Sequence, residues 1–286
     1  MKRLITMAAI LALMVPVCAQ ARSYDEITKE VKVRNFNGIR AGNRFEVDVE
    51  KASKHALELT FPVELEEYVT AEVQSGVLVL TLDLEKAPRD IRREFNSGDW
   101  KLYAKVSCPE IESIRLSGAA NMSVLNQFDA QSLDIRTSGA SSLKKAAFNA
   151  VGDLKIVASG ASHVEMDLSG NIDNSDIECS GASNVYIIGG NYTDCVVDNS
   201  GASDVDMEEV RMKNLRISLS GASNFYVNGT ADYLDVDVSG ASSCKASSLI
   251  AKRARVEASG ASSVTVNAKD MDLVDVSKAS SVRNRR

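Results

Sequence analysis

Ser180-Gly181-Ala182-Ser183 belongs to a series of tetrapeptides that recur from residue 117 to residue 280. Ser-Gly-Ala begins at eight positions, and a Ser-Lys-Ala-Ser variant begins at Ser277. Successive copies start 18 to 21 residues apart. A unit of about 20 residues is too short to bury its own apolar face, so it must stack on its neighbours. The spacing therefore predicts a solenoid.

Apolar columns appear when the repeats are aligned on this motif. The residue three places before the first Ser is always Ile or Val, and the residue five places after it is always apolar, as Ile177 and Val185 illustrate. The stretch Leu133–Arg136 alternates apolar and charged residues, which is the period of a half-buried strand. Each repeat is expected to form a strand, a corner, a second strand and a variable return loop. Together they predict a right-handed parallel β-helix of about nine coils.

Glycine suits the corner because a tight turn there needs a positive φ. We expect the Ala at the third motif position to point inward with the apolar columns. We expect the Ser at the fourth position, as in Ser141, Ser162 and Ser183, to form a hydroxyl ladder between coils. The corner glycines are Gly118, Gly139, Gly160, Gly181, Gly201, Gly221, Gly240 and Gly260.

Residues 1–21 have the pattern of a secretory signal peptide. Two basic residues precede the apolar run Leu4–Val17, and Ala19-Gln20-Ala21 offers a cleavage site. This predicts export to the periplasm or the cell surface. Cys18 offers lipoprotein anchoring as an alternative. The mature chain shows no segment suited to crossing a membrane.

Residues 22–106 lack the repeat, yet Phe45–Val49 and Leu57–Phe61 alternate as strands do. The polar stretch Glu85–Asp99 predicts a loop. We expect this segment to form one unit with residues 107–286 and to cover one end of the helix. An uncovered coil there would offer a free strand edge for aggregation.

The net charge of −6 disfavours nucleic acid as a partner, which would call for a basic patch. The cysteines after Cys18 are spaced neither as zinc ligands nor as an evident disulfide framework. Cys195 and Cys244 fall in apolar columns and are expected to be small core residues. His163 falls in a polar corner column, which favours a structural role over a catalytic one. No cofactor is expected apart from calcium.

A calcium site is suggested by acidic residues two places before the motif Ser. In stacked coils they would lie about 4.8 Å apart and repel one another, which favours a bound cation. The alternative is an ordinary solvated strand face. The candidate ligands are Glu178, Asp198, Asp237 and Glu257.

A second candidate site lies six places after the motif Ser. There Tyr186, Asp206 and Tyr226 should lie side by side in consecutive coils. Two aromatic rings flanking a carboxylate can stack on a sugar and hydrogen-bond to it, which predicts a glycan or other cell-surface component as partner. The alternative is exposed strand tyrosines, which are common in sheets. The basic stretch Arg283–Arg286 raises self-association as a further option.

The order of several pieces resembles a known family of exported bacterial proteins. The pieces are Phe36–Ile39, Phe45–Val47, Val77-Leu78 and Pro109–Ile114, followed by the Ser-Gly-Ala ladder. Together they are similar to the putative auto-transporter adhesin, head GIN domain family, from about Val31 to the end. The resemblance implies a β-helix shaped like the pectin lyases but without their catalytic residues, and a role in cell adhesion.

Three classes of function follow from these observations. The favoured one is an exported, non-catalytic adhesion or binding module at the bacterial cell envelope. The second is a carbohydrate-active β-helix enzyme, since this fold hosts lyases and hydrolases. The third is a structural, self-assembling scaffold.

Overall fold

A computed structural model describes residues 25–98, 100–277 and 279–286, so the predicted signal peptide and Cys18 lie outside the described residues. Within that part the chain forms eighteen β-strands, one α-helix and a 3-10 turn at Val63–Leu65. The elements before the repeats are β1 (Glu26–Val31), β2 (Gly38–Ala41), β3 (Phe45–Lys51), β4 (Ala56–Pro62), β5 (Val69–Gln74), β6 (Val77–Leu82), α1 (Arg89–Ser97) and β7 (Leu102–Cys108). The repeat region contains β8 (Ser113–Leu116), β9 (Asn121–Val124), β10 (Phe128–Thr137), β11 (Ser142–Ala158), β12 (His163–Cys179), β13 (Asn184–Asn199), β14 (Asp204–Leu219), β15 (Asn224–Val238), β16 (Ser243–Ala258), β17 (Ser263–Val276) and β18 (Ser281–Asn284).

The predicted parallel β-helix is confirmed. From β10 onward each strand pairs in parallel with the next one in sequence. There are about eight turns rather than nine. The difference arises at the last motif copy, because β18 covers only Ser263–Val266 of β17.

The return segments are strands, not the loops that the sequence predicted. For example, β13 runs for 16 residues from one corner to the next and pairs with β14 along most of its length. The chain turns inside these strands at residues with positive φ, such as Gly170 in β12 and Gly229 in β15. Register shifts between β12 and β13 fall at the same place, between Leu168 and Asn171. In β12 and β15 a bulge with a glycine therefore takes the place of the predicted loop, whereas in β14 the residue with positive φ is Glu209.

The two predicted apolar columns form the core. Ile177 and Val197 lie in the column before the corner, and Val185 and Phe225 lie in the column after it. Each of these four residues is at most 2 % exposed. The first column ends at the last coil, where Val274 is 47 % exposed. The core is thus continuous along the rod and thins out at β17.

The prediction for the Ala column was wrong. Ala182 and Ala202 are exposed at the corner, whereas Ser183 and Ser203 of the fourth position are fully buried. The buried Ser183 hydroxyl donates to the carbonyl of Ser180 at 2.9 Å, within its own corner. The expected hydroxyl ladder is therefore largely a set of bonds from hydroxyl to backbone, which satisfies the buried Ser.

The corner glycines stack directly on one another. All eight have φ between +69° and +78°. In each corner from the second copy to the eighth, the Ala amide donates to the carbonyl of the preceding corner's glycine at 2.6–2.8 Å. A Cβ on Gly201 would lie 2.7 Å from the Gly181 oxygen, so both the conformation and the close stacking require glycine.

Residues 25–108 cover the N-terminal end, as the sequence predicted, and they also add to the β-helix itself. Strands β2 and β3 lie in parallel register under β8 and β9. On their other side β2 pairs with β6 and β3 with β7, again in parallel. The outermost strands β5, β4 and β1 pair in antiparallel fashion. The change of direction ends the parallel stack.

The predicted loop at Glu85–Asp99 contains helix α1. Phe95 of this helix is buried, and its backbone carbonyl accepts a 2.6 Å hydrogen bond from Arg44. Arg44 follows a corner that the repeat did not reveal, in which Asn43 adopts φ +54° beneath Gly118. Asparagine tolerates this conformation better than other residues with a side chain.

Candidate functional site

One outward face of the β-helix carries aromatic and acidic side chains in consecutive coils. The backbone register places Tyr186 opposite Asp206, and Asp206 opposite Tyr226. The sequence predicted this alignment from residue spacing. We call this surface the tyrosine face and define it by Glu165, Asp167, Tyr186, Asp206, Glu208 and Tyr226.

Strand geometry explains why these side chains share a surface. In β14 the buried Val205 and Met207 alternate with the half-buried Asp206 and Glu208, so the carboxylates project outward. Parallel pairing in register then repeats this arrangement in β12, β13 and β15. The result is a regular surface whose rows are about 4.8 Å apart.

Two groups of the tyrosine face, Asp206 and Tyr186, have raised pKa values. Burial, followed by the charge of Glu208, raises the pKa of the Asp206 carboxyl. One Asp206 oxygen is enclosed and has no hydrogen-bond partner among the described residues. Desolvation and the charges of Glu208 and Asp206 raise the pKa of the Tyr186 hydroxyl. The face therefore carries negative charge that its own neighbours do not neutralise.

A groove of about 570 Å³ borders the tyrosine face where the strands bend. Gly170, Gly189, Gly190 and Gly229 line it, together with the side chains of Asn191 and Arg211. Glycines leave the backbone accessible there. Sequence analysis missed this groove, although isolated glycines inside strand patterns were the available signal.

The predicted acidic ladder lies on a different part of the surface. Glu178, Asp198 and Ser218 are in adjacent register, followed by Asp237 and Glu257. Three of these acids line a groove of about 350 Å³ with several serines. Glu178 pairs with Lys155 at 2.7 Å, and Glu257 pairs with Arg255. No group of three or more His, Cys, Asp or Glu in the described part of the chain could hold a metal ion.

The two histidines lie far from each other in the chain and make different local contacts. His163 takes the corner position opposite Asn184, and its Nε2 lies 4.0 Å from Glu165 Oε2. His55 lies against Phe36, where its Nε2 is 2.8 Å from the backbone carbonyl oxygen.

All four described cysteines, Cys108, Cys179, Cys195 and Cys244, are buried and free. Burial raises the pKa of each of these thiols to about 12. At pH 8 only about one molecule in ten thousand would carry a given thiolate, which is the reactive form.

We therefore expect iodoacetamide at pH 8 to leave these four thiols unmodified in the native protein and to alkylate all four in guanidinium chloride. Mass spectrometry of the peptides that contain them provides the measurement. Rapid alkylation of any one of them under native conditions would contradict the burial described here.

A stack of parallel coils with outward columns in register defines the chain as a β-solenoid. It belongs to the family described as putative auto-transporter adhesin, head GIN domain, whose model matches residues 35–206 and 177–285. No helix in the described residues has the length and apolar character needed to cross a membrane.

Solved structures with the same fold include two proteins described as putative adhesins. The one from Parabacteroides distasonis ATCC 8503 has 15 % identity and a TM-score of 0.63, covering 91 % of this chain and 97 % of its own. The one from Parabacteroides merdae ATCC 43184 has 14 % identity and a TM-score of 0.62, covering 91 % and 96 %. A search of curated protein sequences finds no match.

Proposed function

We propose that this protein is an exported, non-catalytic β-helix that binds glycans at the bacterial cell envelope through its tyrosine face. The observation that carries the proposal is the alignment of Tyr186, Asp206 and Tyr226 in three consecutive coils. Membership of a family described as putative adhesins, and similarity to two solved structures with the same description, support a binding role at the cell surface.

A glycan suits this surface for reasons of shape and chemistry. The face is regular along the rod, and an extended polysaccharide is regular in the same way. Tyrosine rings supply apolar area with a polar tip, and carboxylates accept hydrogen bonds from sugar hydroxyls. The backbone of the half-buried tyrosines is already fixed in paired strands, so ligand binding costs little conformational entropy there.

A glycan-array and whole-cell binding screen of the purified protein tests the proposal. In the Tyr186→Ala/Tyr226→Ala variant we expect affinity for the bound glycan to fall at least about tenfold. Each lost ring removes about 1 kcal/mol, and 1.4 kcal/mol corresponds to a factor of ten. The matched control is Tyr103→Ala/Tyr233→Ala, which removes two other partly exposed tyrosines.

Unchanged affinity in the first variant, or equal losses in both, would remove the tyrosine face as the binding site. Bound glycans are also checked for cleavage, because turnover would support the alternative of a carbohydrate-active enzyme. The screen is run with and without calcium. A calcium requirement that disappears in Asp198→Asn/Asp237→Asn would assign the cation to the acidic ladder.

A further inference from the structure

Several carboxylates outside the tyrosine face are neutralised by cations from the same or an adjacent coil. Asp235, for instance, contacts Arg216 at 3.3 Å and Arg255 at 3.0 Å. Lys155 similarly bridges Asp176 and Glu178 in the next coil. This fold can therefore place a cationic side chain within ion-pair distance of a carboxylate in the same or the adjacent coil.

The tyrosine face lacks this neutralisation. Among the described residues, Asp167, Asp206 and Glu208 form no ion pair within 4.0 Å, and Glu165 has only the His163 contact. Lys245 follows Tyr226 in the same column, one coil further along, and marks the end of the acidic region. The negative charge here is open to a cation from a ligand.

The aromatic residues indicate what kind of cation fits. Tyr186 and Tyr226 are two coils apart, about 10 Å, with Asp206 between them. An ammonium group above this carboxylate would gain from the opposite charge and from contact with the tyrosine rings. A calcium ion takes six to eight oxygen ligands, and no cluster of three acidic, His or Cys side chains in the described part of the chain could hold a metal. The chemistry of the face thus favours an amine over a metal ion.

The coil spacing indicates how such amines would be presented. One pyranose unit in an extended β-linked chain advances by nearly the spacing of adjacent coils. In a β-1,4-linked chain successive sugars are turned by about half a rotation, so every second sugar presents the same edge, about two coil spacings further along. A glycan with an amine on each sugar would therefore place a positive charge at every second coil along the acidic rows of β12, β13 and β14.

We propose that the tyrosine face selects glycans that carry free amino groups, such as oligomers of glucosamine, over the same glycans in N-acetylated form. This inference rests on the proposed function and names the ligand class of that site. The Asp206 carboxylate, which has one oxygen without a hydrogen-bond partner among the described residues, and the adjacent Glu208 supply the negative charge that would distinguish an ammonium from an acetamide. Acetylation removes the charge that both groups attract.

The test compares oligomers of β-1,4-linked glucosamine and of N-acetylglucosamine, equal in length, by calorimetry at about pH 6 in the presence of EDTA. Amines and carboxylates are then both charged, and calcium is absent. We expect the glucosamine oligomer to bind at least about tenfold more tightly than the acetylated one. In Asp206→Asn/Glu208→Gln this preference should disappear.

The control variant is Asp198→Asn/Asp237→Asn, which also removes two negative charges, but from exposed positions outside the tyrosine face. It should keep the preference. Equal loss in both variants would show unspecific attraction to an acidic protein and would overturn the inference. Circular dichroism and thermal unfolding of each variant show that it is folded.

The remaining outcomes separate this inference from the proposed function. Equal or tighter binding of the acetylated oligomer overturns the amine preference and leaves glycan binding intact. The same holds if neither oligomer binds while other glycans bind through Tyr186 and Tyr226. Failure to bind any glycan in the array overturns both.

Discussion

Replacing Gly229 with Ala should lower the free energy of unfolding by about 4 kcal/mol. Gly229 adopts φ +129°, and a Cβ there would lie 2.0 Å from the carbonyl oxygen of Val210 in the adjacent coil. Residues with a side chain rarely adopt this φ, and the backbone of β14 would have to move to relieve the contact. Both the conformational strain and the lost strand pairing raise the free energy of the folded state.

Gly42→Ala provides the matched control for this prediction. Gly42 has no positive φ, and the nearest atom to a new Cβ is the Ser117 hydroxyl oxygen at 3.4 Å. We expect a change within about 1 kcal/mol, in the stabilising direction, because Ala restricts the unfolded chain. Denaturation in urea, followed by circular dichroism, measures both variants. Equal shifts of the midpoint would refute the role of Gly229 at the bend.

Replacing Phe225 with Ala should destabilise the protein by about 3–5 kcal/mol. Phe225 is fully buried in the column after the corner, where its neighbours are Val205 and Cys244. The smaller Cys244 side chain cannot fill the cavity that the lost ring would leave.

Val282→Ala changes the same column in the last coil. Val282 is only half-buried, so we expect a loss below about 1 kcal/mol. Urea denaturation compares the two variants, and amide hydrogen exchange shows which coils open. Since coils contact only their neighbours, Phe225→Ala should weaken protection mainly in β14, β15 and β16. Uniform loss of protection along the rod would contradict this local view.

The repeat period and the two apolar columns were sufficient to predict the fold. Apolar residues recur in every unit at the positions of Ile177 and Val185, and only stacking of parallel strands buries such columns. The alignment of Tyr186, Asp206 and Tyr226 follows from the same period, because it depends only on register. Long-range pairing is predictable here because each residue's partner lies one repeat away.

Side-chain direction at the corner was not predictable in this way. The alternation of inward and outward side chains holds along a strand but breaks at a residue with positive φ, such as Gly181. Ala182 therefore turns outward and Ser183 turns inward, although burial of a hydroxyl is costly unless it is bonded. The bond from Ser183 to the Ser180 carbonyl becomes evident only in the folded corner.

The N-terminal region was harder because its units do not repeat. Asn43 adopts the positive φ of a corner glycine and stacks beneath Gly118, although the sequence around it does not match the motif. Helix α1 has only Ile91 and Phe95 as apolar residues, which is too weak a pattern to predict nine helical residues. Its position depends on the contact of Phe95 with Arg44, a residue 51 positions earlier in the chain.

The stacked corners give the rod a modular length. Every contact between adjacent corners from Gly118 to Gly260 uses the same amide-to-carbonyl hydrogen bond. The upper and lower surfaces of each coil are therefore equivalent to those of its neighbours. Gain or loss of one whole repeat would recreate that join without altering any other. Such a protein can change the reach of its binding face in steps of about 4.8 Å, by duplication or deletion of a single repeat, while the N-terminal end remains as it is.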